Sequence, residues 1–245
     1  MPVAAPDPHA PDKGRAVRGM FASIAPRYDL LNRLLSAGQD QRWRRALVAR
    51  LPALRPGDRV LDLCTGTGDV ALAIAAHAGP GVPVHASDFC EEMVARAPAK
   101  AGGAAVPPAF LVADALCLPY ASSRFRAVTV AFGLRNIQDP QAALREMGRV
   151  LQPGGRLLVL EFSKPVNPVF ARIYRTYFFH VLPRVGKLLS GSDIDAYRYL
   201  PQSVWSFPGP AQLASAIELA GLTVLEQRRF LLGAVMLHVA ERPAS

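Results

Sequence analysis

An alternation of apolar runs with alanine-rich segments narrows the fold more than any other feature of this chain. Runs at 60–64, 82–87, 109–113, 126–132 and 155–162 are almost continuously apolar, as strands buried on both faces are. Segments at 69–78, 90–101 and 139–151 lie between them and read as helices. This alternation predicts a parallel, doubly wound sheet, an α/β fold with helices on both faces. The turn QPGGR at 152–156 separates the third helix from the fifth strand. A helix at 211–220 leads through Gly221 to two further strands, 222–231 and 234–240.

Two regions fall outside the alternation. Residues 17–50 look helical: FASIAPRYDLLNRLL is apolar at helical spacing with Pro26 as a break, and DQRWRRALVARL follows as a basic helix. After Pro165, NPVFARIYRTYFFHVLPRVGKLLS at 167–190 mixes aromatics with arginines. The first 16 residues hold four prolines and no apolar run, and read as a disordered tail. The expected organisation is that tail (1–16) and a single domain over 17–245, with a helical cover at 17–50 and an inserted lid at 166–205.

Composition removes several classes. No stretch of about 18 apolar residues is present, so no transmembrane helix is expected, and the tail lacks the apolar region of a secretory signal. Cys64, Cys90 and Cys117 lie 26 and 27 residues apart, which fits neither a disulfide set nor a compact metal site. They read as reduced thiols of a cytoplasmic protein, and no metal is expected. The net charge of +9 attracts polyanions, nucleic acid or an anionic membrane, without choosing between them.

The strand tips carry the chemistry. The first strand ends LDLCTGTGD, with Asp62 on the strand, Gly66, Thr67 and Gly68 in the turn and Asp69 opening the helix. Glycines let the backbone turn sharply and come close to a ligand. The dinucleotide pattern GxGxxG is not completed, because position 71 is Ala71, and a carboxylate at 69 disfavours a phosphate. The second strand ends VHASDFCEEM, which puts Asp88 where a carboxylate accepts both ribose hydroxyls. The third ends FLVADALCLP, with Asp114 and Ala115 placed to meet an adenine edge. A lone glycine turn or a lone aspartate cap is ordinary. All three in order describe a site for S-adenosylmethionine. The fourth strand runs VTVAF and then presents Gly133, Arg135 and Asn136, a fixed cation at a strand end.

With these stretches in view, the sequence resembles the menaquinone/ubiquinone biosynthesis C-methyltransferases, from about Met20 onward. The resemblance is carried by YDLLNRLLSAGQDQRW (28–43), VLDLCTGTGDVA (60–71), FGLRNIQDP (132–140), RVLQPGGRLLVLEFSKP (149–165) and YLPQSVWSFP (199–208). FGLRN and LEFSKP are much more specific than the glycine loop. The resemblance implies a class I S-adenosylmethionine-dependent methyltransferase fold, a seven-stranded sheet with its last strand antiparallel. It implies cofactor contacts at Thr67, Asp88, Asp114 and Ala115. Ala131 stands where the family usually has a serine, which removes a hydroxyl contact, and Asp40 stands where a histidine is usual.

The resemblance also implies the acceptor, a ring carbon of a prenylated quinol. Such a carbon attacks a methyl sulfonium well only when the neighbouring hydroxyl is ionised. Arg135 is then expected to lower that hydroxyl's pKa, with Asn136 orienting the same oxygen. Tyr28 and Asp29 of the helical cover are further groups near the acceptor, and Tyr28 equally reads as a core residue. The alternative for Arg135 is a structural pair with Asp139 or another acid. Demethylmenaquinol is preferred over the ubiquinone precursor, because relatives acting on menaquinone alone are common in bacteria.

Rival readings fit less well. Amino-methylating nucleic-acid enzymes show (D/N/S)PP(Y/F) after the fourth strand, where this chain has FGLRN, and no cysteine follows a proline as a cytosine C5 enzyme requires. No nucleic-acid partner is expected. A non-catalytic binding or scaffold module leaves an intact FGLRN unexplained. Arg172, Arg175, Arg184 and Lys187 lie among Phe170, Tyr174, Phe178 and Phe179, which suits a membrane surface better than a phosphate track. The expected location is cytoplasmic and peripheral at the inner face of an anionic membrane, with 167–190 and the basic helix at 39–50 on the lipid. The competing expectation is an ordinary lid packed on the sheet.

Overall fold

In the computed structural model, residues 6, 7, 10, 12–103, 106–181, 184 and 194–244 are described. Seven strands form one sheet in the order β3-β2-β1-β4-β5-β7-β6. They are β1 (Val60–Leu63), β2 (Val84–Asp88), β3 (Ala109–Val112), β4 (Phe125–Ala131), β5 (Leu151–Phe162), β6 (Thr223–Phe230) and β7 (Val235–Glu241). The first five pair in parallel, and β7 runs antiparallel between β5 and β6. The doubly wound sheet with an antiparallel last strand is therefore as expected.

Alternating residues of the central strands reach opposite faces, and both faces are buried. Leu61, Leu63, Val128, Val130, Leu157 and Val159 pack on one side with α7 (Pro140–Val150) and α10 (Pro210–Leu219). Val60, Ala127, Leu158, Leu160, Val235 and Leu237 pack on the other with α3 (Gln39–Val48) and α4 (Asp69–Ala78). Burial on both faces is why these strands read as unbroken apolar runs. Residues 152–155 bulge out of β5: Leu151 pairs with Phe125, and the next pair is Arg156 with Ala127. The expected turn is present, but as a bulge inside the strand. The expected helix at 90–101 is two helices, α5 (Glu91–Val94) and α6 (Ala97–Ala101). Pro98 explains the break, since its ring clashes with the carbonyl four residues back.

The N-terminal boundary is also corrected. Helix α1 (Lys13–Ile24) starts inside the expected tail. Its anchors are tertiary: Val17 and Met20 pack with Tyr199, and the Lys13 ammonium donates to the Ile137 carbonyl at 2.7 Å. A short 3₁₀ turn (Ala25–Arg27) follows, then α2 (Tyr28–Leu35) and α3, completing the cover. In the lid, α8 (Pro168–Thr176) passes into a π turn (Tyr177–Val181), and α9 (Ile194–Ser206) returns to the sheet. Residues 182, 183 and 185–193, with the expected lid basic residue Lys187, lie outside the described residues.

Candidate functional site

Strand order reverses direction of winding at β1, which lies between β2 and β4. Ligands of such sheets bind beyond the carboxyl ends of the strands at this switch point. Here both strand ends are bent. Cys64 after β1 and Phe132 after β4 have φ of 53° and 58°, a left-handed conformation uncommon for side chains of their size. The two bends also press together: a Cβ on Gly133 would lie 2.2 Å from the Cys64 Cβ, so only glycine fits in FGLRN. Burial raises the Cys64 thiol well above its ordinary pKa, which makes it an inert packing group.

Two adjoining cavities open at this point, of about 200 and 80 Å³. Phe21, Tyr28, Cys64, Ala131 and Phe132 line both. The smaller is bounded by Gly66, Asp88, Asp114 and Ala115, four of the expected cofactor residues. Asp88 accepts from the backbone N–H of Gly66 at 2.8 Å and of Cys90 at 2.9 Å. A carboxylate has about four acceptor sites, so capacity remains for ligand hydroxyls. Burial raises its pKa, and these backbone donors oppose the rise. Asp114 accepts from Leu116 N through one oxygen. Ser87, beside Asp88, lines the same cavity, and its hydroxyl is buried with no partner among the described residues.

Asp62 and Thr67 line the larger cavity instead. Asp62 is buried and accepts from Thr65 Oγ1 at 2.7 Å and Thr129 Oγ1 at 2.5 Å. Burial pushes its pKa up to about 6 against those two hydrogen bonds. Thr67 Oγ1 donates to Asp29 at 2.6 Å and accepts from Lys100. Gly68 closes the loop at φ 87°, where a Cβ would lie 2.9 Å from the Phe110 ring. The carboxylate expected to repel anions, Asp69, is bridged by Arg44 and Lys100. Burial pushes its pKa up, but these cations outweigh it and hold the group below the usual range. Asp29 joins the same network through Lys100 at 2.8 Å and lines neither cavity itself. Asp40 does line the larger cavity, accepting from Ser36 Oγ at 2.9 Å.

Arg135 reaches the larger cavity too, and it is paired. Its Nη1 lies 2.7 Å from Glu161 Oε1, with the side chains 6% and 1% exposed. The same nitrogen donates to the Phe132 carbonyl, and Nε donates to Ser203 Oγ at 3.4 Å. The guanidinium also stands 5.4 Å from the Phe162 ring centre. Asp139, the alternative partner read from the sequence, caps α7 by accepting from Ala142 N. Glu161 is thus the site residue that sequence reading missed. Its signal was an acid ending an otherwise apolar strand in LEFSKP.

Asn136 does not join Arg135. It lines the smaller cavity, its Oδ1 accepts from the Tyr199 hydroxyl at 3.1 Å, and its Nδ2 donates to the Phe132 carbonyl. Its carboxamide holds the hydroxyl of Tyr199, a residue that lines the larger cavity. Tyr28, half-buried, divides the two cavities and packs edge-on against Phe21. Aromatics from the lid close the larger cavity: Tyr174, Phe178 and Tyr199 line it, with Tyr177 and Leu231 at its exposed end. Phe178 and Phe179 pack with Tyr174 and Trp205, so they are lid core and not the membrane-facing residues expected.

The chain is 52% identical over 210 residues to the demethylmenaquinone methyltransferase of Deinococcus radiodurans, covering 86% of each. It is 50% identical over 224 residues to that of Thermus thermophilus, covering 91% of this chain and all of the relative. It is 48% identical over 225 residues to the ubiquinone/menaquinone biosynthesis C-methyltransferase UbiE of Syntrophotalea carbinolica, covering 92% and 93%. Among solved structures, the [4+2]-cyclase SpnF aligns over 99% of this chain and 98% of its own with a TM-score of 0.68 at 20% identity, a likeness of fold alone. The profile of the ubiE/COQ5 methyltransferase family matches residues 10–242, and the chain belongs to that family of methyltransferases.

Proposed function

We propose that this enzyme methylates a ring carbon of a prenylated quinol, with demethylmenaquinol as the acceptor. S-adenosylmethionine supplies the methyl group, carried on a sulfonium. The residues present suit this cofactor. Asp88 and Ser87 offer unfilled hydrogen-bonding capacity to a ribose, Asp114 and Ala115 bound the space for a base, and Asp62 and Thr67 stand where the amino-acid end would lie. No metal cluster occurs among the described residues.

One observation carries the acceptor reading: Arg135 lines an apolar cavity beside the cofactor space, together with the phenols of Tyr28, Tyr174 and Tyr199. Burial raises the pKa of Tyr28, Tyr174 and Tyr199, the last to about 12, and Arg135 acts on all three in the opposite direction. A quinol hydroxyl entering the same cavity meets the same opposition, in which desolvation holds the proton and the guanidinium favours its loss. Glu161 holds the Arg135 guanidinium in place and, as an anion, opposes its effect on Tyr199. Trp43, Phe132 and Phe162 form an aromatic wall on which a planar ring can lie. Positioning then supplies much of the remaining rate, up to about 7–11 kcal/mol in the best-aligned cases.

The tail of such a quinol is too long for these cavities, and we take the enzyme to work at a membrane surface. Among the described residues, no helix is long and apolar enough to cross a bilayer. The test of the function is direct. Labelled cofactor with reduced demethylmenaquinol should give labelled menaquinol, and the ubiquinone precursor should turn over more slowly. Faster turnover of the precursor would reverse the acceptor assignment, and label incorporated into RNA would overturn the substrate class.

A further inference from the structure

The polar end of the larger cavity carries a guanidinium with no role so far. Arg44 stands in the middle of α3, on the helical cover, with its side chain 13% exposed. Its Nη1 is held by Asp69 at the start of α4 and lies 3.5 Å from Asp40. Its Nε is buried with no hydrogen-bond partner among the described residues. A buried donor left unpaired is uncommon and carries its full desolvation penalty. Arg44, Thr65, Thr67 and Asp62 line this end together.

The charges here do not describe a site for a simple anion. Arg44 and Lys100 are set against Asp29, Asp40 and Asp69, with Asp62 close behind. An excess of acid beside one unsatisfied guanidinium edge suits a zwitterion, an ammonium with a carboxylate on the same carbon. A planar guanidinium is the strongest ordinary partner for that carboxylate. We infer that Arg44 binds the α-carboxylate at the amino-acid end of S-adenosylmethionine through the edge that carries Nε. Because Arg44 also grips Asp69, the cofactor then joins the N-terminal cover to the glycine loop, and the cover is part of the cofactor site. This rests on the cofactor assignment and adds a residue that the glycine loop alone does not provide.

The test compares two ligands that differ at this end. S-adenosylhomocysteine carries the amino acid, and 5′-methylthioadenosine has the same nucleoside and thioether without it. Both are titrated calorimetrically into the full-length protein. Arg44→Met keeps the aliphatic stem and removes the guanidinium. It should weaken S-adenosylhomocysteine roughly tenfold to a hundredfold, the value of a charge-assisted hydrogen bond, and leave 5′-methylthioadenosine unchanged. Arg44→Lys should show the same selective loss at smaller size, and carries the test alone if the methionine variant does not fold. Equal losses on both ligands would make Arg44 a structural tie to Asp69 and overturn the inference. So would unchanged affinity for both. Failure of the wild-type protein to bind either ligand would instead remove the cofactor assignment.

Discussion

Arg135 and Glu161 form a buried ion pair, and such pairs separate structure from chemistry poorly in single variants. Removing the arginine strands Glu161, 1% exposed, in an apolar wall. That alone costs about 3–5 kcal/mol, so lost activity in Arg135→Ala has two causes. Arg135→Met with Glu161→Gln is the informative variant, because glutamine carries no charge and its one carbonyl oxygen still accepts from one of the two backbone N–H groups, of residue 135 and of Phe162, that the two Glu161 oxygens serve. The double variant should recover part of the melting temperature that Arg135→Met loses, because the buried charge is gone while one backbone N–H loses its acceptor. Its turnover should stay low, on the order of a hundredfold to a thousandfold below wild type. Raising the pH should restore part of it, since free hydroxide then removes the proton that Arg135 no longer acidifies. Turnover that recovers with stability would leave Arg135 a structural residue only.

The elements with regular periodicity were legible in the sequence, and those held by tertiary contacts were not. The five parallel strands, α4, α7 and α10 all follow from apolar patterning and turn residues. Asp88, Asp114, Ala115 and Gly66 were legible as strand-tip residues, and they do converge on one cavity. The start of α1 was hidden, because four prolines in the first 16 residues outweigh a helix whose anchors lie more than 100 positions away. Glu161 and Arg44 were hidden for a related reason: each acts through a partner on another element. The first turn of α1 has its own consequence. Lys13 donates to Ile137 O, Gly14 N donates to Gln138 Oε1 at 2.9 Å, and Gln138 Nε2 donates to Ala10 O at 3.2 Å. Gly14, Ile137 and Gln138 all line the smaller cavity, so this clasp closes it. Lys13→Met should speed cofactor release about tenfold by stopped-flow, the value of one hydrogen bond to a charged group. Burial and then Arg135 lower the Lys13 pKa, so wild-type release should quicken with rising pH before an ordinary lysine titrates. An unchanged release rate would make α1 a static part of the wall.

At the scale of the whole molecule, one group of exposed apolar residues lies beside the open end of the larger cavity. Val166, Val169 and Ile173 are 63%, 69% and 61% exposed along the start of the lid. Leu231 and Leu232, between β6 and β7, are 50% and 66% exposed, and both have positive φ. A Cβ on Gly233 would lie 3.8 Å from Val166 Cγ2, so the two groups are neighbours. Exposed leucines in a conformation that leucine disfavours call for a reason outside the fold. Arg172, Arg175, Arg228 and Arg229 are exposed on the same elements, within a chain of net charge +9. An apolar edge with arginines, beside the open end of the proposed quinol cavity, suits an anionic bilayer surface. Asparagine tolerates positive φ better than leucine, so Leu231→Asn with Leu232→Asn removes the apolar side chains of this turn without new strain. This variant should keep its melting temperature and lose flotation with vesicles containing anionic lipid. Wild-type flotation should weaken as salt screens the arginines. Activity on a long-tailed quinol should fall, and activity on a short-tailed one dispersed in buffer should fall much less, because Arg135 and the aromatic wall are unchanged and Leu231 lines only the exposed end of the cavity. Equal losses on both quinols would show that the turn shapes the cavity and nothing else. Full flotation by the variant would move the membrane contact to another face.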